Sequence, residues 1–224
     1  MKDATLSQAS KILSLFDETP REQIQAILGS GLLADLRDGN IVEVNRDEFR
    51  KIIGLEPLKP KLLLEFVGTV KIPATSGKFV AKDKFIQDTS RKAKVKISYI
   101  GDNFNEWLLG KVEDAVAETE LRYAKLLKIS RGERIRAEIG AQFEETSLSY
   151  MYALMEMQAN GEKGALLING WANVFYIRDI SGALRAVDVH WGSDGWGVGA
   201  GPVDDPGRWG DGFQFFFCDS CITL

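Results

Sequence analysis

Residues 164–217 constrain this chain most. They hold four of the five tryptophans (Trp171, Trp191, Trp196 and Trp209) and half of the 22 glycines. A stretch this aromatic is either the core of a sheet or a platform on which something docks. The residue order reads as a run of antiparallel strands. Trp171, Asn173, Phe175 and Ile177 share one strand face, and Ser181-Gly182 supplies a turn. Val187, Val189 and Trp191 share a face of the next strand, with Asp188 and His190 opposite. Asp194-Gly195 then turns the chain into Trp196, Val198 and Ala200. This alternation assigns most of the aromatic residues to a core. Gly197 and Gly199 leave their face bare, so another backbone or a ligand can approach it. The expected partner surface is therefore Trp196, Gly197, Gly199, Trp209, Asp188 and His190.

The first 54 residues carry helix punctuation instead. Thr5 or Ser7 caps a stripe of Ala9, Ile12, Leu13 and Phe16. Thr19-Pro20-Arg21-Glu22 opens a second helix, with Thr19 capping and Pro20 at the first helical position; it ends near Gly29. Ser30 caps a third, ending at Asp38-Gly39, and Asn45 with Glu48 frames a fourth, closed by Gly54. Pro57 and Pro60 mark a linker. Beyond it, Phe66, Gly68, Val70 and Ile72 alternate as a strand, as do Val95, Ile97 and Tyr99. Residues 121–128 and 133–139 read as a hairpin across Arg131-Gly132. Residues 147–158 read as a helix using Leu148, Met151, Tyr152 and Met155. The predicted class is α+β. A small helical module (1–56) and a linker (57–64) precede a mostly antiparallel sheet domain with at least one packed helix (65–217) and a tail (218–224).

At 224 residues, with 45% hydrophobic and 27% charged residues, the composition is that of a globular chain. No stretch reaches the roughly 18–20 apolar residues of a membrane span. The polar first ten residues lack the apolar centre of a secretory signal. Two cysteines make no disulfide framework, so a reduced cytoplasmic setting is expected. Charge is segregated: residues 57–100 carry a net +7 and residues 142–224 a net −7, within an overall −4. Either block can steer a partner of opposite charge, and the two can also satisfy each other within one chain or between two copies.

No nucleophile–base set, cofactor loop or metal-ligand set stands out, so no catalytic residue, cofactor or metal is assigned. Asp188 and His190 lie about 7 Å apart by strand rise and are the one place for acid–base work by histidine. Cys218-Asp-Ser-Cys221 has C-x-x-C spacing but lacks the further ligands of a zinc site. Gly195, Gly197, Gly199 and Gly201 lack the lysine of a phosphate loop. Asp204, Asp205 and Asp211 match no calcium-loop spacing. The second and third helices could form a helix-turn-helix, but its reading helix bears only Arg37 and its module is acidic. The better nucleic-acid contact is Lys82, Lys84, Arg91, Lys92, Lys94 and Lys96, interleaved with Phe79, Phe85 and Tyr99 for base stacking.

Four long segments, LFDETPREQIQAILGSGLLADLRDGN, KISYIGDNFNEWLLGKVE, ETELRYAKLLK and GALLINGWANVFYIRD, resemble a family of uncharacterised proteins from uncultivated candidate-phylum bacteria. The resemblance runs from about Leu15 to Trp209. It implies a bacterial intracellular setting and brings no functional residue with it. The expected function is that of a non-catalytic binding protein with a protein partner or self-association and no membrane. The alternatives are nucleic-acid association through residues 57–100 and a small-molecule enzyme using Asp188 and His190.

Overall fold

The computed structural model describes residues 19–38, 50–51, 62–142, 144–205 and 207–218, with the single positions 7, 10 and 14. The chain divides into two compact units, Met1–Pro60 and Lys61–Leu224. The first contains α1 (Arg21–Gly29) and α2 (Leu32–Arg37). Pro20 is the N-cap of α1 rather than its first residue, and no side chain caps the helix. Its extended ψ of 141° places its carbonyl to accept from Gln23 N and Ile24 N. Gly31, at φ 79°, makes the sharp corner before α2. Of the two caps expected for the first helix, Ser7 is itself helical and Thr5 lies outside the described residues, as do Asn45 and Glu48 of the fourth and residues 57–60 of the linker.

The second unit is built on one large mixed sheet. Its strands are β1 (Leu64–Ile72), β3 (Ile97–Ile100), β5 (Thr119–Leu126), β7 (Glu145–Thr146), β8 (Asn173–Arg178), β9 (Leu184–Trp191), β10 (Trp196–Pro202) and β12 (Gln214–Cys218). They run in the order β1-β5-β12-β8-β9-β10-β3, with β7 also paired to β8. The β1–β5, β5–β12, β8–β9 and β9–β10 pairs are antiparallel. The β12–β8, β10–β3 and β7–β8 pairs are parallel. Two small ribbons, β2 (Phe79–Val80) with β4 (Val112–Glu113) and β6 (Ser130–Arg131) with β11 (Arg208–Trp209), flank the sheet.

β8 and β12 are the sheet's central strands and read as unbroken apolar runs, Val-Phe-Tyr-Ile and Phe-Phe-Phe, because both of their faces are covered. One core cluster takes Phe175, Ile177, Phe216 and Cys218 together with α3 (Ala81–Lys84), α4 (Asp102–Trp107) and α6 (Leu148–Met157). The other takes Val174, Tyr176 and Phe215 together with α5 (Gly132–Ile139). Phe175 and Phe216 stack at 4.7 Å between ring centroids. Cys218 is buried in β12 opposite Leu121, so the sheet continues through the first residue of the expected tail. Cys221 lies outside the described residues.

Residues 133–139 form α5, not the second arm of a hairpin. Ile135, Ala137 and Ile139 fit an alternating strand, yet Ile135 and Ile139 also lie one helical turn apart. Both are buried in the helix, and Gly140 at φ 91° ends it. α6 forms as read. The Ser147 hydroxyl accepts from Tyr150 N at 3.2 Å. The Glu113 carboxylate takes the amides of Leu148 and Ser149 at 3.0 and 2.9 Å and lies 3.2 Å from Lys111 Nζ. No helix among the described residues is long and apolar enough to cross a membrane.

Candidate functional site

Three places in the second unit bear on function. The first is the glycine face of β10. In the β9–β10 register Gly197 stands opposite His190, and Gly199 opposite Asp188. The imidazole and carboxylate fold over those glycines. A Cβ on Gly197 would lie 2.7 Å from His190 Cε1 and Nε2, and one on Gly199 would lie 2.8 Å from Asp188 Oδ1. The face that looks bare in the sequence is thus occupied by the molecule's own side chains. His190 Nδ1 is 3.7 Å from Asp188 Oδ2, with the two side chains 43% and 27% exposed. The Asp188 carboxylate beside it raises the His190 pKa, and burial works against that.

Trp196 does not belong to a partner surface. It is fully buried, its Nε1 donates to Gln158 O at 3.1 Å, and its ring packs edge-on against Trp191 at 5.2 Å. Trp209 is half-buried, edge-packed on Phe213 and Phe215 at 5.9 and 5.8 Å. Among the described residues no group of three or more His, Cys, Asp or Glu comes together to hold a metal. Asp205 Oδ1 is engaged by Gly207 N at 2.6 Å, a local turn contact.

The second place is the basic segment. Phe79 and Phe85 are buried and pack with Tyr152 and Phe104 at centroid distances of 4.8–5.8 Å. They are core rings, so of the three aromatics expected to stack on bases only Tyr99 is exposed. Lys82, Arg91 and Lys92 are exposed and have no ion-pair partner among the described residues. Lys94 Nζ lies 2.5 Å from Glu156 Oε1. Lys96 is half-buried, and its main chain holds the fold by donating to Ala159 O and accepting from Trp196 N. In the other unit, Arg37 is taken by Asp38 at 2.7 and 3.0 Å, which occupies the one base of the expected DNA-reading helix.

The third place is a cleft that the sequence names only in pieces. Two adjoining cavities, of about 420 and 190 Å³, share Lys84 and Tyr152 as common wall. The larger lies between the 73–79 loop, with Lys78, and α6, with Ser149, Tyr152 and Glu156. The smaller runs between Asp83, Asp88, Lys92 and Lys94. Lys84 Nζ sits 5.6 Å from the centre of the Tyr152 ring and has no ion-pair partner among the described residues. Tyr152 is only 4% exposed, yet its hydroxyl has no hydrogen-bond partner among the described residues. Burial, and then the charge of Glu156, pushes its pKa up to about 12, so it is a proton donor at neutral pH. The Tyr152 hydroxyl is not among the fully buried unpaired polar atoms, so it is open to the cleft and can donate to an acceptor that enters. Sequence reading separates these residues, because Tyr152 counts as core by helical spacing and the lysines count as a solvated strip. What unites them is the packing of α6 against the 73–95 segment.

No protein-family model matches this chain, and the comparisons with curated proteins and with solved structures return no match.

Proposed function

We propose that this is a non-catalytic binding protein of a bacterial cytoplasm that receives a small anionic ligand in the cleft at Tyr152. The observation that carries this reading is the unpartnered Tyr152 hydroxyl in a cleft lined by four lysines, Lys78, Lys84, Lys92 and Lys94. Lys84 and Lys92 supply positive charge with no ion-pair partner among the described residues, and the Tyr152 hydroxyl supplies a directed donor. Asp83, Asp88 and Glu156 limit the charge that the site accepts. In this reading residues 1–56 are a helical module joined by the 57–64 linker to the sheet domain.

Titration of isotope-labelled protein with pyrophosphate and with citrate tests it. The expected result is saturable amide shifts at residues 78, 84, 92 and 152, with affinity lost in Lys84→Met and reduced in Tyr152→Phe. Unmoved resonances at all four positions with both anions overturn the reading. The exposed Lys82, Arg91 and Lys92 favour nucleic acid as the second reading. It calls for oligonucleotide binding that falls steeply with salt. An oligonucleotide that binds while the small anions leave residue 152 unmoved selects it.

A further inference from the structure

A different surface has the chemistry of an anion site. In the small ribbon, Arg131 of β6 stands directly opposite Arg208 of β11. Like charges facing each other across an antiparallel pair repel. Arg134 follows in the first turn of α5. All three arginines are exposed, and none has a carboxylate partner among the described residues. Arg136, half a turn further along α5, shows the contrast. Glu144 holds it at 2.6 and 2.9 Å, so the fold supplies a carboxylate where an arginine serves structure.

Arg131, Arg134 and Arg208 surround a groove of about 400 Å³ with Ile129, Ser130 and Glu133. Ser130 is 5% exposed, and its hydroxyl has no hydrogen-bond partner among the described residues. α5 starts beside this groove, and no side chain caps its first-turn amides. Glu133 is the one acidic side chain of the lining, so the groove carries a net positive charge of two.

We propose that this groove binds a phosphoryl group, either as free phosphate or on a small phosphomonoester. A phosphomonoester carries a charge near −1.5 to −2 at neutral pH, which offsets the surplus. Guanidinium forks match its oxygens in pairs, and one phosphoryl group lying between Arg131 and Arg208 turns their repulsion into two attractions. The uncapped amides of α5 and the Ser130 hydroxyl are donors of the kind that phosphate collects at a helix start. The site is independent of the Tyr152 cleft, since α5 packs in one core cluster and α6 in the other.

Calorimetric titration at low salt with inorganic phosphate, glycerol phosphate and acetate tests the proposal, with Arg131→Gln, Arg208→Gln and the exposed, distant Lys71→Gln as variants. Saturable binding of either phosphate species, weakened roughly tenfold or more in each arginine variant and unchanged in Lys71→Gln, supports it. Phosphate against glycerol phosphate separates the free ion from the monoester. The ligand-free variants keep or raise the melting temperature, because each removes one of two facing charges. Absence of phosphate binding, equal affinity for acetate, or affinity unchanged in both arginine variants overturns the proposal. A lower melting temperature in both ligand-free variants also overturns it, because the arginines then serve the fold.

Discussion

Gly197 faces His190 across the β9–β10 pair, and the imidazole closes over it so that a methyl group there would lie 2.7 Å from two ring atoms. Gly197→Ala is therefore expected to push the ring outward and separate it from Asp188. Overpacking of this kind costs roughly 1–3 kcal/mol. Urea unfolding measures the loss. A proton-detected titration of His190 shows its pKa falling back toward the ordinary histidine value. A variant as stable as the parent, with an unmoved His190 titration, contradicts the geometry.

The same pair sets a pH dependence. The Asp188 carboxylate raises the His190 pKa in the folded state. The stabilisation is complete below the unfolded histidine pKa of about 6.5 and is lost as pH rises through the higher folded value. Asp188→Asn removes the cause. In that variant, unfolding free energy between pH 6 and pH 8 should vary less with pH than in the parent, by an amount that denaturant titrations resolve.

Asp179 answers in the opposite direction. Burial alone raises its pKa. Hydrogen bonds from the Ser181 hydroxyl, from Arg185 Nε and from the amides of Ser181 and Ala183 outweigh burial and bring it to about 2. Its contribution is present above the unfolded pKa of about 3.9 and is lost as pH falls through about 2. Asp179→Asn leaves Arg185 without its carboxylate at 2.7 Å in a largely buried site. Stability should drop by about 3 kcal/mol. Equilibrium denaturation at neutral pH checks this.

Tyr176 offers a substitution expected to do no harm. Its hydroxyl is buried without a hydrogen-bond partner, and burial raises its pKa, so it stays protonated. Tyr176→Phe removes an unsatisfied polar atom and keeps the ring stacked on Phe215. The melting temperature should hold or rise. A clear fall shows that the hydroxyl has a partner in solution.

Local spacing carried part of this fold. Ser147 capping α6, the alternation of Val187 and Val189 in β9, and the hairpin into Trp196 are all readable because each depends on neighbours within a turn or a strand. Residues 133–139 escaped because Ile135 and Ile139 satisfy both the two-residue and the 3.6-residue period. Only burial against Leu64, Leu126 and Phe215 in the shared core selects the helix. Trp196 escaped because the identity of its strand does not say which neighbours cover it.

The sequence by itself determined the α+β class and the segregation of charge, since both follow from residue type and short-range periodicity. Tertiary structure decided the rest. It placed β12 at the centre of the sheet between β5 and β8, whose paired residues lie about 90 and about 40 positions earlier in the chain, pairings that no local pattern encodes. It filled the glycine face of β10 with His190 and Asp188, and it set Arg131 against Arg208. Register between strands, not composition, chooses which side chains meet.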